Sequence, residues 1–338
     1  MIIMRNGNDM EIVTSPMRPE EYIVRFGANG KRYVDRKSVG NVLCHVTEGN
    51  SKVGDVLGLN FPVEYTCDHR CECYRNGDCY ACGGFYQYDS NQIIYAENFN
   101  FYKSCTTEQF VAALQLVIDD VRRRPRPDLM AELEKAKEAL QELEPEVRDF
   151  ILRAVERQIE RYDLGILWRY FTIGDIPDSR FIDCMVMLAK ANPDVSFWTY
   201  TKKYVLVNDW IDKNGELPDN LVIVFSHWMN KDGTYFPMPN PHNLPTSEFI
   251  PLGREDLLET VTWVCPCSDP TWIGTCSTCE HRCGTLKKGQ SMALKEHSTS
   301  QTRKRDKEVK EQRKAMLEEV KNSSPVLSRL LRKAKINV

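Results

Sequence analysis

Apolar positions along the 338-residue chain change their period several times, and each change marks a different element. The first sixty residues read as short strands and turns, punctuated by Gly27, Gly30, Gly40, Gly54 and Gly58. Gln92-Ile93-Ile94-Tyr95-Ala96 predicts a further strand. Thr106 or Thr107 then offers a cap for a helix that runs from Phe110 through Val121 and stops before Pro125 and Pro127. From Asp128 to Tyr162 apolar residues recur at helical spacing: Leu129, Leu133, Ala136, Leu140 and Leu143, then Val147, Ile151, Val155 and Ile159. Pro145 divides this stretch into a helical hairpin. Its apolar stripe is narrow and its other faces are charged, so the segment 125–162 reads as an insertion or lid.

The next hundred residues change character. Ile166 to Ile173 predicts a strand ending at Gly174-Asp175, and Asp178 to Ala191 an amphipathic helix stopped by Asn192-Pro193. Val195 to Tyr200, Leu221 to Ser226 and Val261 to Val264 predict three more strands, the last running into Cys265. Strand, helix and strand at this spacing predict parallel α/β units. Chemistry in such sheets gathers at the carboxyl ends of the strands, where Gly174-Asp175, Thr201-Lys202, Ser226-His227-Trp228 and Cys265 fall.

Charge and composition narrow the classes. The net charge is only -3, so no global field points to nucleic acid. No secretory signal pattern follows Met1, and no apolar run approaches the roughly 20 residues of a membrane helix. The expectation is a protein without a membrane partner, in the reducing cytoplasm, where thiols persist. From Gln301 onward the chain differs again, with twelve Lys or Arg against five acids. This tail, 301–338, is expected to be partly helical or disordered, and is the one place from which nucleic acid could be held. Residues 1–300 are expected to form a single cysteine-rich α/β domain.

Ten of the thirteen cysteines form two knots. Cys67, Cys71, Cys73, Cys79 and Cys82 lie within sixteen residues, and Cys265, Cys267, Cys276, Cys279 and Cys283 within nineteen. A chain of this length needs no disulfide staples, and thirteen is an odd number, so metal ligation is the more economical use. Cys79-x-x-Cys82 and Cys276-x-x-Cys279 each fit the thiolate hook of a zinc site. Cys276-x2-Cys279-x3-Cys283 is also the kind of longer run that holds iron–sulfur clusters, with Cys265 or Cys267 as a fourth sulfur. Cys67-x3-Cys71-x-Cys73 begins like a radical-SAM loop but is one residue short before its third cysteine. His69 and His281 lie inside the knots, and aromatic residues crowd the first, among them Tyr65, Tyr74, Tyr80 and Tyr86. Such cover lowers solvent access to a metal. Cys44, Cys105 and Cys184 stand apart and are expected to be buried apolar residues.

These segments together resemble a family of phage-encoded proteins known as gene product eighty-eight, over roughly Leu59 to His297. Leu59 to Cys67 with Cys79-Tyr80-Ala81 is similar to the family's opening, and Ile173-Gly174-Asp175 followed by Phe181 to its strand ending. Ala189 through Asn192-Pro193 to Thr199-Tyr200-Thr201-Lys202 is the most specific piece, and Cys265-Pro266, Cys276, Cys279 and Ala293 to His297 look like its terminal block. Ile173 stands where the family has serine, no proline follows Cys67, and the helices from Pro125 to Tyr162 are extra. The resemblance implies a phage origin, hence the host cytoplasm. It also implies a partial TIM-barrel-like parallel sheet similar to the radical-SAM core, and a 4Fe-4S iron–sulfur cluster gathered from both knots.

The leading functional expectation is therefore an iron–sulfur protein acting on a substrate the sequence does not name. Asp175 and Lys202 are its candidate catalytic contacts, with a structural ion pair as their plainer reading. S-adenosylmethionine enters only through the resemblance, since no glycine-rich strand of the kind that holds it is present. The alternative is a zinc-stabilised nucleic-acid-binding protein without catalytic activity. Thiol exchange at a CxxC pair ranks third, because neither pair opens a convincing helix.

Overall fold

The computed structural model describes residues 2–6, 9–13, 22–26, 32–36, 42–50, 53–75, 79–228, 234–250, 254–269, 272, 274–295 and 300–336. Strands β1 (Ile2–Asn6), β2 (Asp9–Val13), β3 (Tyr22–Phe26), β4 (Arg32–Arg36) and β5 (Val42–His45) form two small antiparallel sheets, ordered β2-β1-β5 and β3-β4. Strand β6 (Leu57–Leu59) leads into two short helices, α1 (Val63–Thr66) and α2 (Glu72–Arg75), then α3 (Asp89–Ser104) and α4 (Thr107–Arg123). Thr106 caps α4 as its side-chain oxygen accepts from the Gln109 N–H, while Gln109 returns the bond to the Thr106 N–H. Helices α5 (Leu129–Gln141) and α6 (Pro145–Asp163) form the expected hairpin, with Pro145 in the first turn.

Alternation then follows: β7 (Ile166–Tyr170), α7 (Ser179–Ala191), β8 (Val195–Thr201), α8 (Tyr204–Asn214), β9 (Leu221–His227), β10 (Thr246–Ile250), β11 (Trp263–Val264) and β12 (Ser291–Lys295). Strands β6 to β12 make one seven-stranded sheet, ordered β6-β7-β8-β9-β10-β12-β11, in which every pair is parallel. The chain closes with α9 (Ser300–Ser323) and α10 (Pro325–Lys333).

Strand alternation sorts the sheet's side chains. Trp168, Tyr170, Phe197, Ile223 and Phe225 point to one face, where they pack with Val117 and Ile118 of α4, Phe181 and Met185 of α7, and Val207 and Ile211 of α8. Leu167, Trp198, Val222 and Val224 point the other way and pack against Leu286, Met292, Cys265, Cys276 and Cys283. Helices thus cover one face, and the second cysteine knot covers the other.

The expected barrel is not closed: β6 and β11 end the sheet and do not pair with each other. The segment that carries the second knot fills the face a barrel would turn inward. The strand expected over Gln92–Ala96 is also corrected, for these residues lie within α3. Helix α3 buries Ile93, Tyr95, Ala96, Phe101 and Tyr102 along with polar Gln92, Glu97 and Asn98, so no clean apolar stripe announces it.

The hairpin and the C-terminal helices build a second core. Leu129, Ala136, Leu140, Ile151 and Val155 pack against Leu317, Val320, Leu327, Leu330 and Leu331. At its rim the side chain of Glu132, 4% exposed, accepts from Lys333 Nζ at 2.9 Å and pairs with Arg329 Nε at 2.8 Å. Lys335 Nζ reaches Asp55 at 2.8 Å, joining the last residues to the loop before β6. Among the described residues no helix is long and apolar enough to cross a membrane.

Candidate metal centre

The first knot lies beyond the carboxyl end of β6. Helix α1 ends at Cys67, whose N–H donates to the Val63 carbonyl, and Cys71 N–H donates to Asp68 O. Cys79 to Cys82 is a tight turn closed by the Cys82 N–H on the Cys79 carbonyl at 2.8 Å. The two thiols meet, and the hydrogen bond from Cys82 lowers the Cys79 pKa to about 7. Burial acts in the opposite sense on Cys67, reinforced by the nearby Asp175 carboxylate, and pushes its thiol well up. Cys71 and Cys82 are buried. Cys73 falls in α2, but its side chain lies outside the described residues.

The second knot follows β11. Cys265 N–H donates to Ala293 O at 2.8 Å, which fixes the knot to the neighbouring strand β12. Cys265 Sγ and Cys267 Sγ stand 3.1 Å apart and share a hydrogen bond, which together with burial raises the Cys265 pKa. Burial lifts Cys279 to about 12 and also raises Cys283, where a hydrogen bond from Tyr200 opposes the rise. Glycine 284 is required where this turn meets β8, since a Cβ there would lie 2.6 Å from Ser196 Oγ and 3.0 Å from the Trp198 ring.

Asp175 and Lys202 meet at neighbouring strand ends. Gly174, at φ 88°, turns the chain so that Asp175 N–H reaches Thr66 Oγ1 at 3.0 Å. The buried Asp175 carboxylate accepts from Thr201 Oγ1 at 2.6 Å, Ile176 N–H at 2.7 Å and Lys202 N–H at 3.0 Å. Burial raises its pKa, and these three donors pull against the rise. The Lys202 ammonium lies over the Trp228 ring, 5.2 Å from its centroid.

Donor chemistry suits a thiophilic metal. The twelve cysteines Cys44, Cys67, Cys71, Cys79, Cys82, Cys105, Cys184, Cys265, Cys267, Cys276, Cys279 and Cys283 carry free thiols. Sulfurs sharing one tetrahedral ion at about 2.3 Å stand roughly 3.8 Å apart, so thiols already in hydrogen-bond contact need little movement to share a metal. Deprotonating such desolvated thiols requires a compensating cation, which is what a metal supplies. Two pairs of thiols meet, Cys79 with Cys82 and Cys265 with Cys267, and among the described residues no three His, Cys, Asp or Glu side chains converge on one point. The knot histidines are used otherwise. His69 Nε2 contacts Glu64 O at 2.8 Å and its ring stacks on Tyr74, while His281 stacks on Trp263.

A family model described as gene product 88 matches residues 45–243. The chain belongs to the gene product 88 family. The matched span holds the first knot, Asp175, Lys202 and strands β6 to β9, and it ends before the second knot. No curated protein and no solved structure matches the chain.

The sequence left Arg169 and Glu248 of this gene product 88 protein unmarked. Arg169 projects from β7 toward the knot-covered face, its guanidinium 5.1 Å from the Tyr200 ring centroid. His227, at the carboxyl end of β9, meets Glu248 of β10 through Nδ1 at 2.8 Å and stacks on Tyr235. The signal for Arg169 was a lone charge inside the apolar run Ile166 to Tyr170. None marked Glu248, because β10 has no apolar run.

Proposed function

We propose that this gene product 88 protein binds metal through its cysteine knots and that the metal is an iron–sulfur cluster, at work in the host cytoplasm. The observation that carries this reading is the placement of the knots, the first at the carboxyl end of the parallel sheet and the second with Cys265, Cys276 and Cys283 packed against its second face. Nearly sequential strand order, with α4, α7 and α8 packed together on one face, supports the finer reading of an opened barrel similar to the radical-SAM core. A bound cluster would supply one-electron chemistry. Asp175 would act by pinning the ends of β7 and β8 together, and Lys202 would hold a positive charge beside Cys67. Buried Tyr74 and Cys71 would keep water from the first knot. S-adenosylmethionine belongs to this proposal as the next ligand to test.

The alternative, a zinc-stabilised nucleic-acid binder, draws on the Cys79–Cys82 hook and the basic tail. Arg329 and Lys333 already face Glu132 and Lys335 already faces Asp55, which leaves the tail less free charge for phosphates.

The test is anaerobic reconstitution with iron and sulfide, followed by metal analysis and a visible spectrum. The proposal expects a brown protein with absorption near 400 nm and about four irons per cluster. A colourless protein that retains zinc and takes up no iron would transfer the knots to the alternative.

A further inference from the structure

The two cysteine knots pack in different cores. Cys71, Cys79 and Cys82 pack in the large core that also holds Tyr74, Phe171 and the helices of the covered face. Cys265, Cys276 and Cys283 pack in a separate core with Leu167, Trp198, Val222 and Met292 on the sheet's other face. Two direct thiol contacts, Cys79 with Cys82 and Cys265 with Cys267, each fall within one knot.

Their surroundings are specific. Tyr80, inside the first knot, is 60% exposed and donates its hydroxyl to Thr172 O at 2.6 Å, just past the end of β7. Arg169 of β7 lies over the Tyr200 ring, within electrostatic reach of Tyr80 in the first knot and of Cys276 and Cys283 in the second. Its Nε is buried and makes no hydrogen bond. Tyr200 in turn hydrogen-bonds Cys283. Among the described residues this guanidinium has no carboxylate partner, which suits a place beside thiols that take on negative charge.

We infer that the two knots are two separate thiolate centres for thiophilic metal, not one cluster gathered from both, with Arg169 beside the second and in reach of Tyr80 of the first. This rests on the metal-binding reading above. Each centre has enough sulfur of its own: Cys67, Cys71, Cys79 and Cys82 in the first, and any four of five cysteines in the second. One cluster ligated from both knots would have to draw thiols out of two separate cores.

The experiment compares metal content and thiol protection in the full chain and in two double variants, Cys79→Ser/Cys82→Ser and Cys276→Ser/Cys279→Ser. Each is reconstituted anaerobically, assayed for iron and zinc, and treated with iodoacetamide before peptide mass spectrometry. Two centres predict that each variant keeps roughly half the metal of the parent and that the intact knot stays protected from alkylation. Loss of all metal in both variants, with circular dichroism unchanged, overturns the inference while leaving the metal-binding reading intact. A parent chain that binds no metal overturns both. Should a variant unfold, parent protein loaded with half its metal is alkylated and weighed as intact chains. Molecules fully protected at one knot and fully modified at the other support two centres, whereas molecules partly protected at both contradict them.

Discussion

Asp175 shows how a residue visible in the sequence acquires its meaning only in the fold. Its place at a strand end marked it as a candidate, but its three donors come from Thr201, Ile176 and Lys202, two of them across the gap to β8. No local pattern encodes that meeting, because it depends on the register of β7 against β8. The Asp175–Lys202 link runs through the lysine's main-chain N–H, and its ammonium is stationed over Trp228. Asp175→Asn would set an amide N–H₂ against groups that are themselves donors. Leaving buried donors unsatisfied costs about 1–3 kcal/mol. Urea denaturation of the metal-free variant is expected to show that loss; unchanged stability would mean the carboxylate does not join the two strands. The knot cysteines were legible because thiols cluster in sequence, whereas Arg169 gains its neighbours from two distant turns.

Elements with clean periodicity were legible and those without it were not. Helix α4 begins at its capping box, and α5, α6 and α7 lie where helical spacing put them. Helix α3 was mistaken for a strand because it is buried on several sides, and β10 and α8 passed unmarked. The contact between α10 and the hairpin adds the buried charge of Glu132 to the apolar packing of Leu327, Leu330 and Leu331. Lys333, with Lys135 and Arg329, holds its carboxyl down to about 2, against an ordinary value of 4.5. A depressed carboxyl stabilises the fold above its unfolded pKa and loses that contribution as pH falls through its folded one. The ion-pair contribution to the attachment of α10 is thus complete above about pH 5 and fades toward pH 2. Glu132→Gln is expected to lower the melting temperature at pH 7, and the gap from the parent should close between pH 4.5 and 2. A gap that stays constant over that range would show that the ion pairs do not hold the tail.

At the scale of the molecule, parallel α/β character was legible from strands and helices alternating between Ile166 and Phe225, while closure was not. Whether seven parallel strands close or stay open depends on what fills their second face. Here a loop-rich segment carrying Cys276 to Thr285 occupies it, and the last two strands enter in exchanged order. That arrangement brings both knots to one sheet from opposite ends of the chain. The central claim is that their sulfurs ligate metal, and X-ray absorption at the iron and zinc edges of anaerobically reconstituted protein tests it most directly. The account predicts an iron edge whose nearest neighbours are sulfur. An iron shell of nitrogen and oxygen alone, or no bound metal at either edge, would contradict it.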